Sequence, residues 1–211
     1  MLVKRIRALI LAAGLVAWSL VAPRLPSRWH PIPHAVVGAA LAVLTSAPLG
    51  LRPPQLWSGV RFGLAAAAPV ALGVAVATAL PQVREEMAER DLPDGPLRWL
   101  LLGIPLGTVW SEEAAFRAAL GTVAAEAFEP RAGRLLQSAA FGLSHIADAR
   151  STGEHVVPTV LVTGLAGWVF GWLYERSGSL IAPMLAHLTV NEAGAVAALA
   201  VQNAHARAVS L

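Results

Sequence analysis

Apolar residues run along this chain in long stretches, each ended by a short cluster of Pro, Gly or charged residues. A bilayer core of ~30 Å takes about 20 helical residues at 1.5 Å each. On that scale the pattern predicts seven crossings, over residues 6–21, 32–51, 62–80, 97–120, 135–147, 156–174 and 180–201. The fourth can continue to Phe128 and stop before Pro130, and an eighth crossing follows if it breaks in two. Pro183 is expected to interrupt the seventh. The most polar stretch, residues 81–95, holds Glu85, Glu86, Glu89, Asp91 and Asp94, and is expected to be a surface connection with a short amphipathic helix. The first run is long for a cleaved signal peptide and further spans follow it, so a retained first helix is expected.

Composition sharpens this. Hydrophobic residues are 56% of the 211, charged residues 14%, and the mean hydropathy is +0.60. A soluble domain needs roughly 25% charged residues to cover its surface, so the lipid bilayer is the expected solvent. The fold class is then all-α, a polytopic membrane helix bundle of about 7–8 spans in the cell membrane. Disorder is excluded by the apolar content. There is no Cys, which excludes disulfides, a thiolate nucleophile and Cys-ligated metal. The net charge of +3 comes from basic residues scattered between apolar runs, with no patch fit for nucleic acid. With the N-terminus in the cytoplasm, inner loops would hold eight basic residues against seven outside. The cluster Lys4, Arg5 and Arg7 favours that orientation. The Trp residues fall mostly near span ends, as an aromatic belt predicts. Gly164, Gly167 and Gly171 form a small-residue stripe, which lets membrane helices approach closely.

A charge at membrane depth costs at least ~2.5 kcal/mol on insertion scales, so such residues face a bundle interior and mark function. Three segments carry them: Glu112, Glu113 and Arg117; Phe141 and His145; His187 and Asn191. Glu113 and Arg117 are i,i+4 and can pair on one helix face. Glu112 points about 100° away and lacks a local partner, as a general base requires. His187 and Asn191 also share a face, and His145 lies one turn after Phe141. Read blandly, these are a structural ion pair and interhelical hydrogen bonds; three such places in one small chain favour a site. His30, His34, His155 and His205 fall in loops or at the tail and are given no role. Asp148 reaches the interface, and Glu192 adjoins Asn191 but points elsewhere. Ser111 and Ser144 adjoin the motifs without a matching Asp, so a Ser-His-Asp site is the poorer reading.

The motifs Glu-Glu-x-x-x-Arg, Phe-x-x-x-His and His-x-x-x-Asn, in that order on separate apolar helices, resemble the CPBP family of intramembrane proteases. These are also called the CAAX protease or Abi family, which includes the prenyl-protein endoprotease. The segment from Gly178 to His187 resembles that family's approach to its third motif. The resemblance covers about residues 97–201 and implies about eight helices around a cavity, and cleavage near the C-terminus of a membrane-associated peptide or protein. It divides the chain into N-terminal helices and a polar loop (1–96), a catalytic helix core (97–202) and a tail (203–211). It implies Glu112 as the base that activates water, His145 as its holder, His187 and Asn191 as oxyanion donors, and Glu113 and Arg117 as braces, with Phe141 in support.

No cofactor is expected on the favoured, glutamate-type reading. The alternative is a zinc metalloprotease, with Glu112, His145 and His187 as ligands and water in the open position; the usual His-Glu-x-x-His signature is absent. Buried Glu, Arg and His also build proton relays, so a non-catalytic transporter or bacteriocin-immunity-type scaffold is the other reading. A transporter usually spreads its polar sites over two related halves, whereas all three motifs here lie in the second half.

Overall fold

The computed structural model describes residues 1–22 and 31–209, and every element among them is helical. The Pro-rich loop before the second helix, with Trp29 and His30, lies outside the described residues. Helix α1 is Leu2–Val21, α2 Pro31–Leu44, α3 Gln55–Thr78 and α4 Pro81–Glu89. A continuous helical run over 96–128 follows, here α5. Then come α6 (Pro130–Ser144), α7 (Ile146–Thr152), α8 (Val156–Ser177) and α9 (Ile181–Val209).

Three of these are long and apolar enough to cross a membrane: α3, α8 and α9 over Ile181–Ala208. These are the crossings that length and composition support among the described residues, against the seven or eight expected. The second expected span is shorter than its apolar run. Helix α2 stops at Leu44, with Thr45 Oγ1 donating to Leu41 O at 2.8 Å and Ser46 in the left-handed region at φ 52°. Pro48 then denies the chain a helical path, since the residue before a proline is pushed to extended backbone. At 14 residues, α2 is about 21 Å long.

Two further expectations are corrected. Pro183 does not interrupt the last helix. It sits in the first turn of α9, where its missing N–H has no intrahelical partner to lose, and α9 runs on past the expected end to Val209. The fifth span is not one helix with His145 inside it. His145, at φ −87° and ψ 1°, ends α6 and starts α7.

Helix α5 winds with i→i+5 hydrogen bonding over Trp99–Trp110 and again over Glu113–Leu120, and returns to α-helical winding over Gly121–Phe128. Pro105 lies inside the first stretch and cannot donate to the ladder. The wider winding is rare and recurs at functional sites. The helix ends where expected, at Phe128, because Glu129 turns into the left-handed region (φ 70°) and Pro130 begins α6.

Small residues bring the helices together. The main core joins Ala8, Ala12 and Leu15 of α1 to Ala115, Phe116, Leu120 and Val123 of α5 and to Ala140 and Phe141 of α6. A second layer joins Phe170 and Leu173 of α8 to Ala182 and Ala186 of α9, with Phe62 and Ala66 of α3 against it. The expected glycine stripe lies where α8 meets α6: a Cβ on Gly142 would stand 2.5 Å from Val160 O and 3.2 Å from Gly164 Cα. That crossing sets the depth at which α6 delivers Phe141 and His145.

Candidate active site

The three polar segments converge. Glu113 and Arg117 pair as their spacing predicts, with Arg117 Nε 3.2 Å from Glu113 Oε2 and both side chains wholly buried. None of the three guanidinium nitrogens makes a hydrogen bond among the described residues, and the reason is the packing of the group. It lies on the Phe141 ring, Cζ 3.8 Å from the centroid, and 5.1 Å from that of Phe170. Two aromatic faces thus hold the cation in place of polar partners.

Glu113 has a second partner that spacing alone does not reveal. Its Oε1 lies 2.7 Å from His187 Nδ1, joining α5 to α9 across 74 residues of sequence. The His187 ring stacks on Phe170 (centroids 5.0 Å, 24° between planes) and meets the edge of Phe141 at 6.1 Å. Its other nitrogen, Nε2, faces Glu112 Oε2 at 3.8 Å. The Glu112 side chain is 28% exposed, and its Oε2 is buried without a hydrogen-bond partner. The two adjacent glutamates therefore differ: Glu113 is wholly buried between a cation and an imidazole, while Glu112 is partly exposed and has only the long contact to His187.

His145 joins the cluster through Phe141, its ring 4.7 Å from that ring. Its Nδ1 lies 2.8 Å from Phe141 O. A carbonyl only accepts, so Nδ1 is the donor and Nε2 is bare in the neutral ring. Asn191 sits one turn after His187, and its Nδ2 donates to His187 O at 3.1 Å. The amide is thus turned to its own helix with one N–H, and its second N–H is left over. Ser111 and Ser144 spend their hydroxyls on backbone, Ser111 to Leu106 O and Ser144 to Phe141 O, both at 2.7 Å. Of the residues set aside, His34 lies in α2 with its ring 5.8 Å from Trp18, rather than in a loop.

Phe170 carried no signal in the sequence, being one apolar residue among many in α8. Only the fold shows that it stacks on the imidazole and flanks the guanidinium. Gln137 was likewise unmarked; it donates to Gly167 O at 2.9 Å and ties α6 to α8 beside the site. A cavity of about 400 Å³ opens on the far side of Arg117, walled in part by Thr122, Arg134, Gln137 and Tyr174, and not by Glu112, His145, His187 or Asn191.

The zinc alternative needs three ligands around one point. Among the described residues no three His, Asp or Glu side chains are placed to hold a metal ion. As arranged, the residues do not fit that site.

No curated protein and no solved structure matches the chain. A family model does, that of the Rce1-like proteins, described as type II CAAX prenyl endopeptidases. The match spans residues 94–193, just under half of the chain, and contains every residue of the cluster. Over those residues, which hold all three motifs, the chain is similar to the type II CAAX prenyl endopeptidases.

Proposed function

We propose that this protein is a multi-pass intramembrane endopeptidase that hydrolyses a peptide bond of a membrane-associated substrate, with Glu112 as the base that activates water. The observation that carries the reading is the contrast between the two glutamates: Glu113 is wholly buried and paired with both Arg117 and His187, whereas Glu112 is partly exposed, with one carboxylate oxygen 3.8 Å from the His187 imidazole. Hydrolysis needs a base, a held water and donors aimed where negative charge develops. Glu112 takes the proton from water. His145 Nε2, bare when Nδ1 bonds the Phe141 carbonyl, accepts the water's other hydrogen. His187 Nε2 and the second N–H of Asn191 face the oxyanion. Arg117 and Glu113 hold the constellation rigid from behind.

The reaction is metal-free on this reading. The family's description points to prenylated CAAX peptides as first substrates to try. The test is a fluorophore–quencher peptide ending in a farnesylated CAAX sequence, offered to the purified full chain in detergent. Cleavage by the wild type and none by Glu112→Gln supports the proposal. Equal cleavage by both removes Glu112 from the chemistry.

A further inference from the structure

We propose that Glu113 is a positioning residue that dedicates Nε2 of His187 to carrying a proton from Glu112 to the leaving nitrogen. This rests on the peptidase reading above. Glu113 is paired with the Arg117 guanidinium at 3.2 Å. It is therefore a carboxylate, which only accepts hydrogen bonds. The 2.7 Å contact to His187 Nδ1 must then be an Nδ1–H donation. With one ring proton fixed there, the neutral ring has a lone pair on Nε2, and Nε2 is the atom that faces Glu112 at 3.8 Å. That separation is one small side-chain movement, or one water, from proton transfer.

Among the described residues, the ring is enclosed mostly by apolar groups. Phe170 covers one face of the ring and Phe141 meets it edge-on. Helix α3 packs nearby with Phe62 and Ala66, and the first half of α5 packs on α9 with Ile104 and Val109, beside Leu188. Among the described residues, the charged and titratable groups placed about the ring are Glu112, Glu113, Arg117 behind Glu113, and His145 beyond Phe141.

The step balances. Glu112 takes a proton from water as the water oxygen bonds to the carbonyl carbon. It passes that proton to His187 Nε2, forming an imidazolium between two carboxylates. Nε2–H then faces the oxyanion and gives its proton to the nitrogen as the C–N bond breaks, leaving a free acid, a free amine and the resting enzyme. His187 is thus a donor to the oxyanion only while it carries the proton in transit. The arrangement has the logic of a carboxylate that fixes a histidine's tautomer, where removing the carboxylate's charge lowers turnover by about 10⁴ in serine proteases.

Two measurements on the full chain in detergent test this. The first is ¹⁵N NMR of ring-labelled histidine, with the His187 signals identified by their loss in His187→Gln. The expected resting state is Nδ1 protonated and Nε2 bare; an Nε2–H tautomer or a doubly protonated ring overturns the inference. This arm needs no substrate, so it tests the tautomer separately: the expected tautomer without cleavage counts against the peptidase reading, and the wrong tautomer counts against Glu113 as its cause. The second compares the farnesylated CAAX peptide with its analogue carrying a thioester at the scissile bond, whose thiolate leaves without a proton. The variant is Glu113→Gln/Arg117→Gln, which removes both charges of the pair together. The expected loss in kcat is about 10²–10⁴-fold on the amide and under about tenfold on the thioester, with KM unchanged. Equal losses on both substrates would make Glu113 merely structural and overturn the proposal. If this variant does not fold, the NMR arm still decides.

Discussion

Gly167 lies directly under the Phe141 ring: a Cβ built there would stand 2.9 Å from Phe141 Cδ1. The ring it supports is the hub of the cluster, touching Phe116, His145, His187 and Arg117. The glycine is therefore a spacing device between α8 and α6, and its position sets where three site residues rest.

A methyl group at 167 has to push that ring. Overpacking of this kind costs about 1–3 kcal/mol, which for a chain of this size lowers Tm by about 2–4 °C per kcal/mol. Gly167→Ala should therefore melt lower in detergent and lose activity together. Gly73→Ala is the control, because a Cβ at Gly73 meets nothing within 4 Å, and its Tm should not fall. If the two variants melt alike, the Gly167–Phe141 contact does not set the spacing.

Arg117→Ala should be among the most destabilising single changes. Among the described residues it removes the only cation paired with the wholly buried Glu113, leaving it His187 alone, and empties the space between Phe141 and Phe170. Breaking one side of a buried pair costs about 3–5 kcal/mol. Thermal unfolding in detergent reads this directly. Unchanged stability with lost activity would mean that Arg117 acts in the reaction rather than behind it. Arg117→Lys should rescue little, since an ammonium lacks the flat face that lies on the Phe141 ring.

Much of this was legible in the sequence, and the limits have physical causes. Spacing of four on a helix predicts that Glu113 and Arg117 meet, and they do. The partner that gives Glu113 its further role is 74 residues away, and one sequence carries no signal for such a contact. Phe170 is invisible for a different reason: an aromatic in an apolar helix of a membrane protein looks the same whether it faces lipid or stacks on an imidazole. The break at His145 was missed because residues 135–147 hold no Pro to mark it. The stop of α2 at Leu44 was missed because apolar residues continue past it, and hydropathy does not see the turn that Thr45 and Ser46 make.

Gln202 ties the far end of α9 to the polar connection. Its Nε2 donates to Met87 O at 3.1 Å and Arg90 O at 2.7 Å, capping the carbonyl end of α4. Each bond is worth about 1 kcal/mol, and α4 buries no residue of its own. Gln202→Leu should release this helix without unfolding the bundle. Limited trypsinolysis at the exposed Arg84 and Arg90 should speed up several-fold, while the global melting temperature stays within about 3 °C. Unchanged cleavage kinetics would show that α4 is held by something else.

The sharpest separation of chemistry from structure is at Glu112. Glu112→Gln keeps the size of the side chain and removes the base. Its Oε2 makes no hydrogen bond and the side chain is 28% exposed, so stability should stay within about 1 kcal/mol of wild type, while kcat falls by at least about 10²–10⁴-fold. Glutamine at 112 would disable a metal-bound water as well, so metal content must be read beside it. A metal-free site should show no stoichiometric zinc by elemental analysis and keep its activity in 1,10-phenanthroline. Zinc near one per chain, lost with activity on chelation and restored together with it, would overturn the metal-free reading while leaving Glu112 in the site. Retained activity in Glu112→Gln would instead move the base elsewhere, and His145, bare at Nε2 beside Phe141, would be the next residue to test.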